Sequence, residues 1–203
     1  MELVIKKVVV GQIETNCYVV SRGNTCFIVD PGGDSTKIKD AVGIMKPQFI
    51  LLTHGHFDHV LALESMTMLF PKIDVYVGAD DEYLLAHLSE QGNFVGQKFK
   101  DIHVRVKAVK EGDVIRFTSD KIKVIETPGH TMGSVCYRLG DNLFSGDTLF
   151  FHTVGRTDLP TSNEELMKKS LGKLAKLPVD LRVLPGHMKE TTILEEKTFG
   201  FLA

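Results

Sequence analysis

Residues 53–59 read Thr-His-Gly-His-Phe-Asp-His. Four groups able to ligate a metal, His54, His56, Asp58 and His59, fall within six residues, and three of the chain's eight histidines are spent there. The run before it, Phe49-Ile50-Leu51-Leu52, is apolar and short, as a buried strand is. The stretch after it, Val60 to Phe70, is apolar and carries helix-favouring Leu, Ala, Glu and Met. The ligands therefore stand where a buried strand ends and a helix begins. A loop at that place turns several imidazoles toward one point, and strand ends are where α/β proteins carry their chemistry.

Upstream, residues 2–10 and 17–29 alternate or run apolar with β-branched residues, and Arg22-Gly23-Asn24 is a hairpin turn signal. Asp30-Pro31-Gly32-Gly33 ends that β-rich opening. Asp34-Ser35 then caps an expected helix with apolar face Ile38, Val42 and Met45, which Pro47 stops. Downstream, residues 74–77 read as a strand and Asp80 to Leu88 as a helix. Residues 89–101 are polar, hold two glycines, and carry Phe94 and Phe99 with no regular period. They read as a long connection, either one that closes over a substrate or a mobile surface loop. Strand-like runs follow at 102–109, 114–117, 121–126, 134–139 and 142–145, then a helix at 163–177, a strand at 181–184 and a last helix at about 190–197. Each half runs strands, then helix and strand. That order implies two similar β-then-α halves packed sheet to sheet with helices outside. No linker or low-complexity segment divides them.

Composition bounds the rest. A chain of 203 residues, 43% hydrophobic and 25% charged, has the balance of a soluble globular protein with one full-sized core. A net charge of −2 offers no basic field for nucleic acid. Cys17, Cys26 and Cys136 lie in apolar runs without Cys-x-x-Cys spacing and read as small buried hydrophobes. The N-terminus lacks a signal-peptide pattern, and no apolar run approaches the ~20 residues of a membrane helix. A cytoplasmic, soluble protein with no membrane partner is expected.

Three more segments share the heptapeptide's grammar of apolar run, Gly or Pro turn, and ligand. Val124 to His130 delivers His130, Leu143 to Asp147 delivers Asp147, and Val183 to His187 delivers His187. Five histidines and two aspartates thus arrive at strand ends. Seven ligands exceed one tetrahedral zinc site and suit two metals sharing a carboxylate. Imidazole favours zinc, iron or nickel, and carboxylates allow harder or mixed sites. No cysteine is among them, so no closed thiolate site forms, and room for bound water points to catalysis. His87, His103 and His152 lack this context and read as turn or capping residues.

At this point the chain resembles a family. Thr53-His-Gly-His-Phe-Asp-His59, Thr127-Pro-Gly-His-Thr-Met-Gly-Ser134, Ser145-Gly-Asp-Thr148 and Leu184-Pro-Gly-His187 resemble the ordered motifs of the metallo-β-lactamase superfamily, and Val29-Asp-Pro-Gly-Gly33 fits them. Within it, Gly155-Arg-Thr-Asp-Leu-Pro160 and the ending from Pro185 to Lys197 are most similar to short glyoxalase II-type, hydroxyacylglutathione hydrolase-like enzymes. The resemblance implies an α+β fold, a four-layer αβ/βα sandwich of two mixed β-sheets flanked by helices, spanning 1–203 as a single domain. No separate C-terminal helical domain is expected. It implies that His54, His56 and His130 hold one metal, that Asp58, His59 and His187 hold the second, and that Asp147 bridges. The cofactors would be two divalent ions, zinc first, with iron or manganese as alternatives. Asp147 in place of Cys argues against true β-lactamase activity, and His56 in place of Glu argues against the flavodiiron branch.

The implied activity is thioester hydrolysis by a metal-bridging hydroxide, with Asp58 orienting it. The partner is a small-molecule thioester, S-acylglutathione or similar, and the protein is a monomer or small homo-oligomer. Arg156 is the candidate for a substrate carboxylate, because its fork matches one bidentately; a surface or structural arginine is the other reading. Val60-Leu61-Ala62, Met188 and Thr161-Ser162 depart from the family's usual glycines and bear on substrate rather than metal. The alternatives are a mononuclear-iron persulfide dioxygenase-like enzyme and a phosphodiesterase of the same superfamily.

Overall fold

In the computed structural model the apolar run before the heptapeptide is strand Lys46–Leu51. The structure describes residues 1–202; Ala203, the last residue of the expected 1–203 domain, lies outside the described residues. The chain divides into two compact units, Met1–Val77 with Asp81–Ala108, and Gly78–Asp80 with the segment from Val109 onward.

Six strands make the first sheet: β1 (Leu3–Val10), β2 (Thr15–Arg22), β3 (Thr25–Val29), β4 (Lys46–Leu51), β5 (Asp74–Gly78) and β6 (Lys107–Val109), hydrogen-bonded in that order. Strands β1 to β3 form an antiparallel meander, with Arg22 opposite Thr25 at the expected Gly23-Asn24 hairpin. Strands β3, β4 and β5 are parallel, so the chain must cross over between them. Helix α1 (Ser35–Val42) makes the first crossover; α2 (Phe57–Val60) and α3 (Leu63–Leu69) lie within the second. Val19, Ile28, Ile50 and Leu52 share one core cluster with Ile38, Val42, Leu63 and Met66 from these helices. Each such aliphatic side chain removed from water contributes about 1.5–3 kcal/mol.

Four local readings of this unit change. Asp34 takes a left-handed backbone with φ 45°, and an N-cap side chain needs an extended one. Its carboxylate instead accepts from Gly11 N at 3.0 Å and Lys37 Nζ at 3.0 Å. Helix α1 stops at Val42 with Gly43 as C-cap at φ 57°, so Pro47 does not stop it. Pro47 lies in β4, tolerated where the β3–β4 register slips between Cys26 and Ile28, and Met45 packs on the core from outside the helix. Residues 89–101 are not one long loop: α4 (Glu82–Ala86) is followed by α5 (Leu88–Val95). The polar sequence hid α5 because Leu88 is its sole fully buried apolar residue. Residues 102–106 are not strand; Ile102 N donates to Leu85 O instead of a neighbouring strand.

The second unit is built on β7 (Val114–Phe117), β8 (Asp120–Glu126), β9 (Val135–Leu139) and β10 (Asn142–Gly146), followed by a small hairpin, β11 (Leu149–Phe150) and β12 (Thr153–Val154). Helix α6 (Glu164–Leu174), β13 (Arg182–Pro185), β14 (Thr191–Thr192) and α7 (Ile193–Phe199) complete it. The sheet order is β14-β13-β10-β9-β8-β7, antiparallel except for β10 beside β13, whose crossover α6 supplies. Asn163 caps α6 by accepting from Leu166 N at 2.9 Å. Helix α7 starts later than the expected 190 because Thr191 and Thr192 pair with β13. The core holds Cys136, Leu143, Leu174, Val183 and Ile193.

Two mixed sheets, each flanked by helices, make the expected α+β class. All three cysteines are free and buried. Burial pushes the Cys26 and Cys136 thiols up to about 11, which leaves them inert. Among the described residues no helix is long and apolar enough to cross a membrane.

Candidate metal centre

The first unit carries the heptapeptide between β4 and α2. His54, Asp58 and His59 are buried and His56 is partly buried. One ligand atom each of His54 and His56 lies within 4.8 Å, and the same holds for His54 with His59 and for Asp58 with His59. His59 Nε2 stands 3.3 Å from Asp58 Oδ2.

Second partners orient these rings. Asp30, buried just past β3, accepts from Thr53 N at 2.8 Å and Thr53 Oγ1 at 2.7 Å, and its Oδ2 lies 3.0 Å from His59 Nδ1. The Thr53 hydroxyl has one proton and gives it to Asp30. It must therefore accept from His54 Nδ1 at 3.1 Å, which leaves His54 Nε2 as the basic nitrogen. Thr15 Oγ1 donates to Asp58 Oδ2 at 3.1 Å. Gly55 N donates to buried Asp81 at 2.8 Å. A Cβ at Gly55 would stand 2.8 Å from Leu84 Cβ and 3.0 Å from Asp81 O, so only glycine lets the loop lie this close to α4.

In the second unit, His130 follows β8, Asp147 follows β10 and His187 follows β13, the strand ends expected. Asp147 Oδ2 lies 3.5 Å from His130 Nε2 and 3.7 Å from His187 Nε2. His130 Nδ1 donates to the Arg156 carbonyl at 2.9 Å; a carbonyl only accepts, so Nε2 is again the basic nitrogen. Ser162 Oγ donates to His130 O at 2.7 Å. A Cβ at Gly155 would fall 1.8 Å from Asp147 O and 3.1 Å from His130 Cγ. The Arg156 side chain is exposed and pairs fork to fork with Asp158, at 2.8 and 2.9 Å. That guanidinium holds the Asp158 carboxyl below its ordinary range.

Each donor set suits a divalent ion. The donors are imidazole nitrogens and carboxylate oxygens, with no thiol. Bonds of about 2.0–2.1 Å in a tetrahedron place neighbouring donors about 3.4 Å apart. The separations of 3.3, 3.5 and 3.7 Å match those edges. His152 instead bonds Glu195 at 2.8 Å, and His87 stacks on Tyr83 at 3.9 Å. Asp30, Thr15, Asp81 and Gln91 escaped the sequence reading as site residues. Asp30 did carry a signal, since it ends a buried strand and stands beside a Pro-Gly turn, as His130 and His187 stand beside theirs.

A family model described as the metallo-beta-lactamase superfamily matches residues 10–187. The chain belongs to the metallo-β-lactamase superfamily. Within that superfamily the Probable metallo-hydrolase YqgX of Bacillus subtilis (strain 168) is 36% identical over 201 residues, 95% of this chain and 93% of its own. The Hydroxyacylglutathione hydrolase of Salmonella typhi is 34% identical over 164 residues, 80% of this chain but 57% of its own. Among solved structures, BLEG-1, titled a B3 metallo-beta-lactamase, has a TM-score of 0.91 at 32% identity, covering 98% of this chain and all 100% of that one. TTHA1623, titled as a di-iron-bound form, has a TM-score of 0.86 at 32% identity, covering 96% and 98%.

Proposed function

We propose that the chain is a metal-dependent hydrolase acting on thioesters of the glyoxalase II type, S-acylglutathione or a similar thiol ester. The observation that carries the metal part is Asp147, one carboxylate oxygen at coordination-sphere distance from the Nε2 atoms of both His130 and His187. A carboxylate oxygen shared by two ions would stand in this way. His54, His56 and His130 hold one ion, Asp58, His59 and His187 hold the other, and Asp147 bridges. Zinc is the first expectation. The di-iron title of TTHA1623 brings iron forward, and manganese stays compatible with these donors. The thioester part rests on the likeness to the hydroxyacylglutathione hydrolase of Salmonella typhi.

Two divalent ions, when bound, supply a water acidified to near-neutral pKa and Lewis-acid polarisation of a carbonyl. The chain's own residues position the rest. Thr15 fixes the Asp58 carboxylate, and a carboxylate so held orients the attacking water by hydrogen bond. The departing thiolate is a weak base, with a parent pKa of about 8.5, and needs no proton donor. Arg156 trades Asp158 for a substrate carboxylate, an exchange of one exposed ion pair for another that costs little.

The assay is hydrolysis of S-lactoylglutathione by the metal-loaded protein. Turnover is expected, and Asp58→Ala should bring it to background with lowered metal content. Full activity in that variant, or none in the loaded parent, contradicts the proposal. β-Lactam hydrolysis is the second reading: Asp147 in place of Cys argues against it, but BLEG-1 bears that title at 32% identity over 98% of this chain. A chromogenic cephalosporin in the same assay separates the two: preferred turnover of the lactam selects the second.

A further inference from the structure

The segment 89–101 was expected to be a loop, and its first part is helix α5, on which Gln91 stands. Three hydrogen bonds leave this one side chain. Its Oε1 accepts from Phe57 N at 2.9 Å, and its Nε2 donates to Gly55 O at 3.1 Å and to Leu84 O at 3.1 Å. Gly55 and Phe57 are the residues on either side of His56. The amide therefore brackets one ligand from both sides of the backbone, and it ties that bracket to α4 through Leu84.

Helix geometry explains why such a bracket is needed. Phe57 N is the first amide of α2, one of the four N–H groups that a helix start leaves without an internal partner. The residue at the N-cap position is His56, with φ −72° and ψ 150°, and its side chain makes no cap bond. A ligand position cannot also spend its side chain on capping. Gln91 Oε1, 34 residues along the chain, meets that need instead. The bond also fixes where α2 begins, and α2 carries Asp58 and His59 in its single turn. Phe99 stacks on Phe57 at 4.9 Å with the planes 20° apart, which holds the same residue from its side chain.

We infer that Gln91 is a positioning residue for the metal ligands: it sets the spacing of His56 relative to Asp58 and His59, and through them the affinity and geometry of ion binding. The inference rests on the ligand roles proposed above and is independent of the substrate.

The test uses the full chain, stripped by chelator and reloaded with Co(II), in three forms. Gln91→Leu keeps the volume and removes all three bonds. Gln91→Ala removes both volume and bonds. Gln91→Glu keeps the acceptor for Phe57 N and loses the donor to Gly55 O. The readouts are the Co(II) visible spectrum, the ion affinity by competition with a chromophoric chelator, and the melting temperature of the metal-free protein. Outer-shell partners of ligands change metal affinity about 10–100-fold. Gln91→Leu is expected to weaken at least one of the two ions about tenfold and to alter the ligand-field bands, with Gln91→Glu in between. If Gln91→Leu does not fold, the decision passes to Gln91→Glu, which must still show the weaker affinity. Parent affinity and an unchanged spectrum in the folded variants overturn the inference, even where melting falls. A parent chain that binds no Co(II) at these ligands sinks the ligand assignment instead, so the two failures are distinct.

Discussion

The two units hold their proposed metal ligands by different means. In the first, four candidate ligands fall within six residues, and a chain that dense cannot shape itself. Side chains from distant segments do so: Asp30 on Thr53 and His59, Asp81 on Gly55, Thr15 on Asp58, Gln91 on either side of His56. In the second, the three candidate ligands come from three strand ends. Main-chain groups dominate there, with the Arg156 carbonyl on His130 and the bare Gly155 backbone pressed against Asp147. Packing ligands close in sequence shifts the work of orientation onto remote polar side chains. Dispersing them shifts it onto backbone approach.

That contrast can be broken at either end. The largest effect is expected at Gly155→Ala. Its Cβ would lie 1.8 Å from backbone Asp147 O, so backbone must move, and the Asp147 carboxylate, the proposed bridge, moves with it. Overpacking of this kind costs about 1–3 kcal/mol, read as a lowered melting temperature together with loss of bound metal. Unchanged metal content would show that the second unit does not depend on close backbone approach. Next comes Asp30→Asn, nearly equal in volume but without the charge. An amide there keeps one acceptor, for Thr53 N, and sets a donor NH2 where Oδ2 faced Thr53 Oγ1 and His59 Nδ1, so metal affinity should fall about 10–100-fold. A chelator competition that finds parent affinity would remove Asp30 from the account. The smallest effect belongs to a residue outside both devices. Asn163→Ala removes the α6 cap and should cost about 1 kcal/mol, a melting shift of about 2–4 °C, with metal content unchanged. A change in metal content would mean that α6 helps shape His130.

The same contrast decides what was legible. His54, His56, Asp58 and His59 announced themselves because no packing purpose asks for them together, and His130, Asp147 and His187 because each follows an apolar run and a Gly turn. The strand–helix order was readable too, since β-branched runs and Gly-Asn turns act locally. Helix α5 was not, because Leu88 is the one buried apolar residue on it and its other inward group, Gln91, is polar. Asp81 and Gln91 were invisible for a related reason. Their meaning lies in backbone groups 26 and 34 residues away, and no local pattern encodes such a partner. Pro47 misled because a proline reads as a helix stop, whereas here a register slip accommodates it in a strand.

The central proposal is that two ions share Asp147. Elemental analysis of the purified chain, beside Asp147→Ala, tests it most directly. The account predicts two divalent ions per parent chain and fewer than two in the variant, because the shared ligand serves both. A parent chain that holds one ion at saturation, or a variant that still holds two at parent affinity, would contradict it.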